Sequence, residues 1–144
     1  MKKELRTRCS WFIAPLTLFM GGCGFHASDF SGSWEDQCVD VNSRGDISSP
    51  QRLVMQADEE GRLRGTISWW DEEGLDSSGN PVNEHIETIY GLADVSDGTF
   101  VLVEEPENGT LVGRIVSGGR VELLRTQPGI HPVVTASTLE SIAD

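Results

Sequence analysis

Turn-forming residues interrupt this chain at short and regular intervals, and this rhythm limits its fold more than any other feature. Glycine accounts for 16 of the 144 residues, and no long stretch of the chain repeats its apolar residues with the period of a helix. Between the turns lie short runs in which apolar and polar residues alternate, which is the pattern of half-buried strands. The sequence therefore predicts a small all-β domain.

The turns divide the chain into eight candidate strands. These are Ser33–Val41, Gln51–Ala57, Arg62–Trp70, Glu84–Gly91, Thr99–Glu104, Gly109–Ser117, Arg120–Arg125 and Val133–Glu140. Asn108-Gly109 and Gly118-Gly119 are typical of tight hairpins, because both dipeptides accept positive φ angles. Strands joined by short loops form an antiparallel meander, and closure of the meander removes its exposed edges. We therefore expect an eight-stranded up-and-down β-barrel, with a β-sandwich as the alternative.

One internal repeat supports a regular β architecture. Leu53-Val54-Met55 leads to the segment Gly61–Ile67, and Phe100-Val101-Leu102 leads in the same way to the segment Gly109–Ile115. In the two copies, Gly65 and Gly113 occupy equivalent positions on one face of the strand. Glycine on such a face predicts a sharp bend or close packing. It would also leave room in the barrel interior.

The first candidate strand opens with Phe30-Ser31-Gly32-Ser33-Trp34. Gly32 and Trp34 form a Gly-x-Trp motif that is similar to the opening of lipocalin-like and avidin-like barrels. In those barrels the tryptophan plugs one end. The resemblance implies the same architecture with Trp34 near one end, and it implies no particular ligand.

The N-terminal segment has the character of an export signal. Basic residues precede the apolar run Trp11–Met20, which is about ten residues long and too short for a transmembrane helix of about 20 residues. The following Gly21-Gly22-Cys23-Gly24 resembles the lipobox of bacterial lipoproteins, although Met20 stands where Leu, Ile or Val is usual. The resemblance implies that residues 1–22 are a signal peptide and that Cys23 carries acyl chains such as palmitate.

A lipid on Cys23 would anchor the protein to a membrane without a spanning helix. Residues 23–30 would then form a short tether and residues 31–144 the barrel-like domain. Gly24, where some lipoproteins have Asp, resembles the class sorted to the outer membrane. We expect a periplasm-facing location in the cell envelope.

Removal of the predicted signal makes the chain strongly acidic. The signal contains four of the 11 basic residues and one of the 23 acidic residues, which leaves seven arginines against 22 acids and a formal charge of −15. This charge argues against nucleic acid as a partner. It suits a basic protein partner, and it also suits simple solubility. Cys38 is the one remaining thiol, so we expect no internal disulfide.

The sequence offers no convergent catalytic residues. His26 lies in the tether, His85 begins a strand and His131 lies in a turn, and no His or Cys spacing is typical of a zinc site. We therefore expect a protein that is not an enzyme and that holds neither a metal nor another cofactor.

The candidate contact surface is a pair of tryptophans beside an acidic loop. Neighbouring strand residues point to opposite faces, so one indole is expected to fill the core and the other to face outward. An exposed indole with an acidic rim suits a protein contact. The candidate contact residues are Trp69, Trp70, Asp71, Glu72, Glu73 and Asp76.

These observations favour a non-catalytic binding module at the membrane, which could inhibit or neutralise a cationic protein. Small acidic lipoproteins that inhibit lysozymes or confer immunity to effectors are similar in size and charge. The alternatives are a carrier of a small apolar ligand in the barrel interior and a structural lipoprotein of the envelope.

Overall fold

The computed structural model of the chain describes residues 24–36, 43, 45, 49–70, 76–78, 80, 82–130 and 132–142. Eight antiparallel strands follow one another around a closed barrel, and the last strand pairs with the first. The predicted all-β class and the up-and-down barrel are both confirmed. The elements are a 3-10 turn η1 (Ala27–Phe30), β1 (Gly32–Asp36), β2 (Gln51–Ala57), β3 (Arg62–Trp69), β4 (His85–Asp94), β5 (Thr99–Glu105), β6 (Thr110–Val116), β7 (Arg120–Gln127) and β8 (Val133–Ile142).

The strand boundaries follow the turn residues closely. The largest difference within the described residues is in β4, which runs on to Asp94 instead of ending at Gly91. The added residues continue the alternation and pair with β5, where Ala93 lies opposite Phe100. The predicted continuation of β1 to Val41 lies outside the described residues.

Alternation along each strand places one set of side chains inside the barrel. In β5, Phe100, Leu102 and Glu104 are buried, while Val101 and Val103 are half exposed. The same period of two appears in β2, β6 and β7. One continuous apolar core therefore fills the barrel.

Three interior glycines allow close packing that a side chain would prevent. A Cβ atom at Gly65 would collide with the backbone carbonyl of Val54, and one at Gly91 would collide with that of Val101. At Gly113 the obstacle is the ring of Phe100. The predicted close packing at Gly65 and Gly113 is confirmed, but the expectation that they leave room inside is wrong. Neighbouring backbone and the Phe100 ring take up that space.

Aromatic side chains close the end of the barrel where η1 leads into β1. Phe30 is fully buried and packs edge-on against Phe100, with ring centroids 6.4 Å apart. Trp34 lies across the same end and donates a hydrogen bond from Nε1 to the Gly119 carbonyl at 2.7 Å. We call this end, with Phe30, Trp34 and η1, the closed end.

The segment for which the sequence predicts a tether packs against the closed end. The Phe25 amide donates to the Val95 carbonyl at 2.8 Å, and the Phe25 ring lies against Gly98 and Phe30. Residue 24 therefore lies beside the β4–β5 turn. Among the described residues, no helix has the length and apolar character needed to cross a membrane.

Candidate functional site

Polar side chains gather inside the barrel at the end opposite η1, which we call the mouth. Along the inner face of β4, His85 is exposed, Glu87 is 6% exposed and Ile89 is fully buried. Glu104 of β5 and Arg125 of β7 are 2% and 8% exposed. These buried charged residues thus lie where the apolar core meets the entrance. The mouth cluster consists of Trp69, His85, Glu87, Glu104, Glu107 and Arg125.

An ion pair is the centre of the mouth cluster. Arg125 Nε donates to Glu104 Oε1 at 2.5 Å, and both side chains are almost completely buried. The guanidinium also lies over the ring of Trp69, with its carbon 4.1 Å from the ring centroid. His85 stacks on Trp69, with ring centroids 5.6 Å apart and planes 16° apart. Arg125 is therefore held by a carboxylate and by an aromatic face.

Glu104 depends on a glycine for its position. A Cβ atom at Gly109 would collide with Glu104 Oε2, so the β5–β6 turn has room for this carboxylate only because residue 109 has no side chain. The Glu104 amide also donates to the Gly109 carbonyl at 2.9 Å. The hairpin turn and the buried charge are thus parts of one local structure.

Carboxylates outnumber cations in the mouth cluster. Glu87, Glu104 and Glu107 accompany Arg125, and Glu107 itself accepts a hydrogen bond from Gln127 Nε2 at 3.0 Å. Burial, the charges of Glu104 and Glu107 and a hydrogen bond between the Glu87 and Glu107 carboxyl groups raise the pKa of Glu87 to about 7, although Arg125 opposes this change. The raised pKa means that the cluster holds a proton on Glu87 for part of the time near neutral pH.

Three buried atoms of the mouth cluster lack a hydrogen-bond partner among the described residues. They are Glu87 Oε2, Glu104 Oε2 and Arg125 Nη2. Buried polar atoms in folded proteins are nearly always paired, with protein, water or ligand. The unmet hydrogen-bonding capacity at Glu87 and Arg125 therefore marks the cluster as a candidate binding site.

The described residues of the mouth cluster form an ion pair and an aromatic stack. Within the described part of the chain, no group of three or more His, Cys, Asp or Glu residues is arranged to hold a metal ion. His85 stacks on Trp69 and is exposed. This arrangement of the described residues can hold a charged group.

The candidate contact residues are only partly brought together. Trp69 faces the interior and belongs to the mouth cluster, whereas Trp70 lies on the other side of the strand, 5% exposed, with the Arg52 guanidinium carbon 5.5 Å from its ring centroid. Neither indole is freely exposed, so the structure does not present the exposed tryptophan that the expected protein contact requires. Asp76 lies in an exposed turn, where its carboxylate accepts from the amides of Ser78 and Asn80. Asp71, Glu72, Glu73 and Cys23 lie outside the described residues.

Glu87, Glu104 and Arg125 are not among the site residues that the sequence predicts. A usable signal was present, because the period of two places Glu87 on the face of Ile89 and Glu104 on that of Leu102. A charged residue in register with core residues of a strand is unusual. That signal would have identified buried charges, but only barrel closure brings β4, β5 and β7 to one site.

A second surface feature lies on the outer wall. Leu92, Val101, Val112 and Leu124 face one another across four consecutive strands and are 44–63% exposed. A concavity of about 230 Å³ between Val112 and Leu124 is bordered by the Arg114–Glu122 ion pair. This row offers apolar area, but no buried polar group converges on it. The mouth cluster is therefore the stronger candidate site.

The fold and the mouth cluster define a closed eight-stranded β-barrel with a charged entrance. A scan against models of protein families and a search of curated proteins each gave no match.

Proposed function

We propose that this protein is a non-catalytic binding module of the bacterial cell envelope, anchored by lipid on Cys23, which binds a basic protein at the mouth of its barrel. The observation that carries the proposal is the excess of carboxylates over cations in the mouth cluster. Glu104 pairs with Arg125, and Glu87 lies close to Glu104, Glu107 and that one guanidinium, in a processed chain of 22 acidic residues and seven arginines. A cationic partner would neutralise this charge and gain from long-range attraction.

The position of Phe25 supports this arrangement. Phe25 is bound to the β4–β5 turn at the closed end, and Cys23 lies two residues before it in the sequence. Acyl chains on Cys23 would hold the closed end close to the bilayer, since two residues span at most about 7 Å. The mouth would then open away from the membrane, toward partners in the periplasm.

Core packing favours a polar partner over an apolar ligand. Phe30, Leu102 and Leu111 are completely buried, and Phe100 is 1% exposed. An apolar molecule would have to displace these side chains, because interiors packed in this way lack spare volume. The alternative of an apolar carrier therefore has less support than a charged contact at the mouth.

The anchoring part of the proposal predicts that palmitate labels the protein in living cells. The wild-type chain is expected to incorporate labelled palmitate and to sediment with membranes, because Cys23 supplies the only thiol at a lipobox-like position. Cys23→Ser should abolish both results, and Cys38→Ser, the matched control, should change neither. A Cys23→Ser chain that still carries the label would contradict lipid attachment at this residue.

The binding part predicts salt-sensitive capture of a basic protein from periplasmic extract. The immobilised protein should retain such a partner at low ionic strength and release it near 1 M salt, where the screening length falls to about 3 Å. Glu87→Gln and Glu107→Gln should weaken retention. Glu59→Gln should not, because Glu59 is an exposed acid of the β2–β3 turn at the closed end.

Capture of the same protein by all three variants would place the contact away from the mouth. Retention that resists salt would argue against electrostatic recognition. Either result would overturn this part of the proposal, while leaving the anchoring part to the palmitate experiment.

A further inference from the structure

We infer that the mouth accepts the charged end of one basic side chain, an ammonium or guanidinium group, against the carboxylate of Glu87. This inference deepens the proposed function, since it names the chemical group that the mouth would recognise. It depends on two independent features of the cluster: the excess of carboxylates, and a buried carboxylate oxygen for which the described residues supply no hydrogen-bond donor.

Glu87 has the geometry of a receptor for a cation at the entrance. Its inward position is fixed by its place opposite Ile67 of β3, which is fully buried. The residue before it on the same face, His85, is exposed, so Glu87 is the first buried inward residue below the rim on β4. Its Oε2 atom is buried and has no hydrogen-bond partner among the described residues. A donor that enters the mouth would therefore meet this oxygen.

Arg125 does not fully neutralise the charge of Glu87. Arg125 donates to Glu104 Oε1 and is held by the face of Trp69. Its attraction for Glu87 is outweighed by burial and by the two neighbouring carboxylates. One further positive charge would satisfy Glu87 without breaking the pair between Arg125 and Glu104.

An anion is a poorer fit for the same place. It could accept a hydrogen bond from Arg125 Nη2, which also has no partner within the described part of the chain. It would, however, lie among the carboxylates of Glu87, Glu104 and Glu107, and like charges at short range repel strongly where water is excluded. The mouth cluster therefore selects cations.

Binding of a cation should be coupled to loss of a proton. The groups that face Glu87 are Glu104 and Glu107 from the β5 side and Arg125 from β7, and His85 lies on its own strand. Since the pKa of Glu87 is raised to about 7, the carboxylate is ionised above that pH and protonated below it. A cation binds the ionised form, so affinity should rise with pH by up to about tenfold per unit below pH 7 and level off above it.

The test uses N-acetyl-lysine methylamide as the probe and the full chain in detergent micelles. Carbon-13 resonances of the glutamate carboxyl groups report both binding and the pKa of Glu87. We expect the probe to lower that pKa and to bind at least tenfold more tightly at pH 8 than at pH 5.5. N-acetyl-norleucine methylamide, which lacks only the ammonium group, should not bind.

Glu87→Gln should weaken probe binding by about tenfold or more at pH 8 and remove its pH dependence, because the neutral amide resembles the protonated acid. Glu59→Gln, which removes an exposed acid at the closed end, is the matched control and should keep both the affinity and the pH dependence. Folding of Glu87→Gln is checked by melting. The pKa of Glu87 is raised from its ordinary value of 4.5 to about 7 in the fold. Glu87 therefore contributes stability that is fully present below pH 4.5 and is lost as the pH rises through about 7. The variant should therefore melt like wild type at pH 5 and at a higher temperature at pH 8.

Equal binding of the probe to wild type and Glu87→Gln, or equal binding of the norleucine compound, would overturn the inference. These outcomes differ from failure of the proposed function. Probe binding without capture of a basic protein would refute the function and leave the site standing. Capture of a basic protein without probe binding at Glu87 would refute the site and leave the function standing.

Discussion

Replacement of Arg125 by alanine is expected to lower the free energy of unfolding by about 3–5 kcal/mol at neutral pH. The change removes the cation that contacts Glu104, whose side chain has no exposed surface. A buried carboxylate without its partner must either remain charged at high cost or take up a proton. It also removes the guanidinium that packs on Trp69. Urea unfolding monitored by tryptophan fluorescence measures the loss.

The chain contains a matched control for this substitution. Arg114 pairs with Glu122 at 2.7 Å on the outer wall, where the two side chains are 59% and 37% exposed. Arg114→Ala removes the same type of ion pair in solvent, and it should cost at most about 1 kcal/mol. Equal losses for Arg125→Ala and Arg114→Ala would show that burial does not determine the energetic role of the pair at the mouth.

A double substitution separates the charge from the packing. Arg125→Met with Glu104→Gln removes both charges and keeps much of the volume, so the barrel has no unpaired ion to bury. Its loss of stability should be clearly smaller than the sum of the two single losses, because residues in direct contact are not additive. Additive losses would mean that the two side chains act independently.

The fold was predictable from local features because a meander requires little long-range information. Turn residues set the strand ends, and consecutive strands pair with one another. Gly118 and Gly119 both adopt positive φ angles in the β6–β7 turn, as their sequence predicts, and Asn108 does so at 58° before the start of β6. Each of these turn conformations is determined by residues within a few positions of the turn.

The site was less predictable because its parts are distant in the sequence. Glu104 and Arg125 are separated by 21 positions, and they meet because β6 is the one strand between β5 and β7 in the barrel. The tryptophans illustrate the same limit. Alternation correctly predicts that Trp69 and Trp70 lie on opposite sides of the strand. The packing of Trp69 between His85 and Arg125 depends on other strands, and so does the burial of Trp70.

Replacement of Phe100 by alanine is expected to cost about 3–5 kcal/mol of the free energy of unfolding. Its ring is 1% exposed, stands edge-on to Phe30, and takes up the space beside Gly113. The neighbouring Val101→Ala is the control, since Val101 faces outward and is 50% exposed. That substitution should cost less than about 1 kcal/mol.

Gly113→Ala gives the complementary test of the filled interior. In the wild-type barrel its Cβ would collide with the Phe100 ring, and overpacking of this kind costs about 1–3 kcal/mol. In the Phe100→Ala background the ring is gone, so the same substitution should be nearly neutral. A barrel with a hollow apolar centre would instead tolerate both single changes with small losses, because no side chain would depend on the other for its place. Urea unfolding of the four proteins therefore distinguishes a barrel filled by its own aromatic residues from one built to hold an apolar ligand.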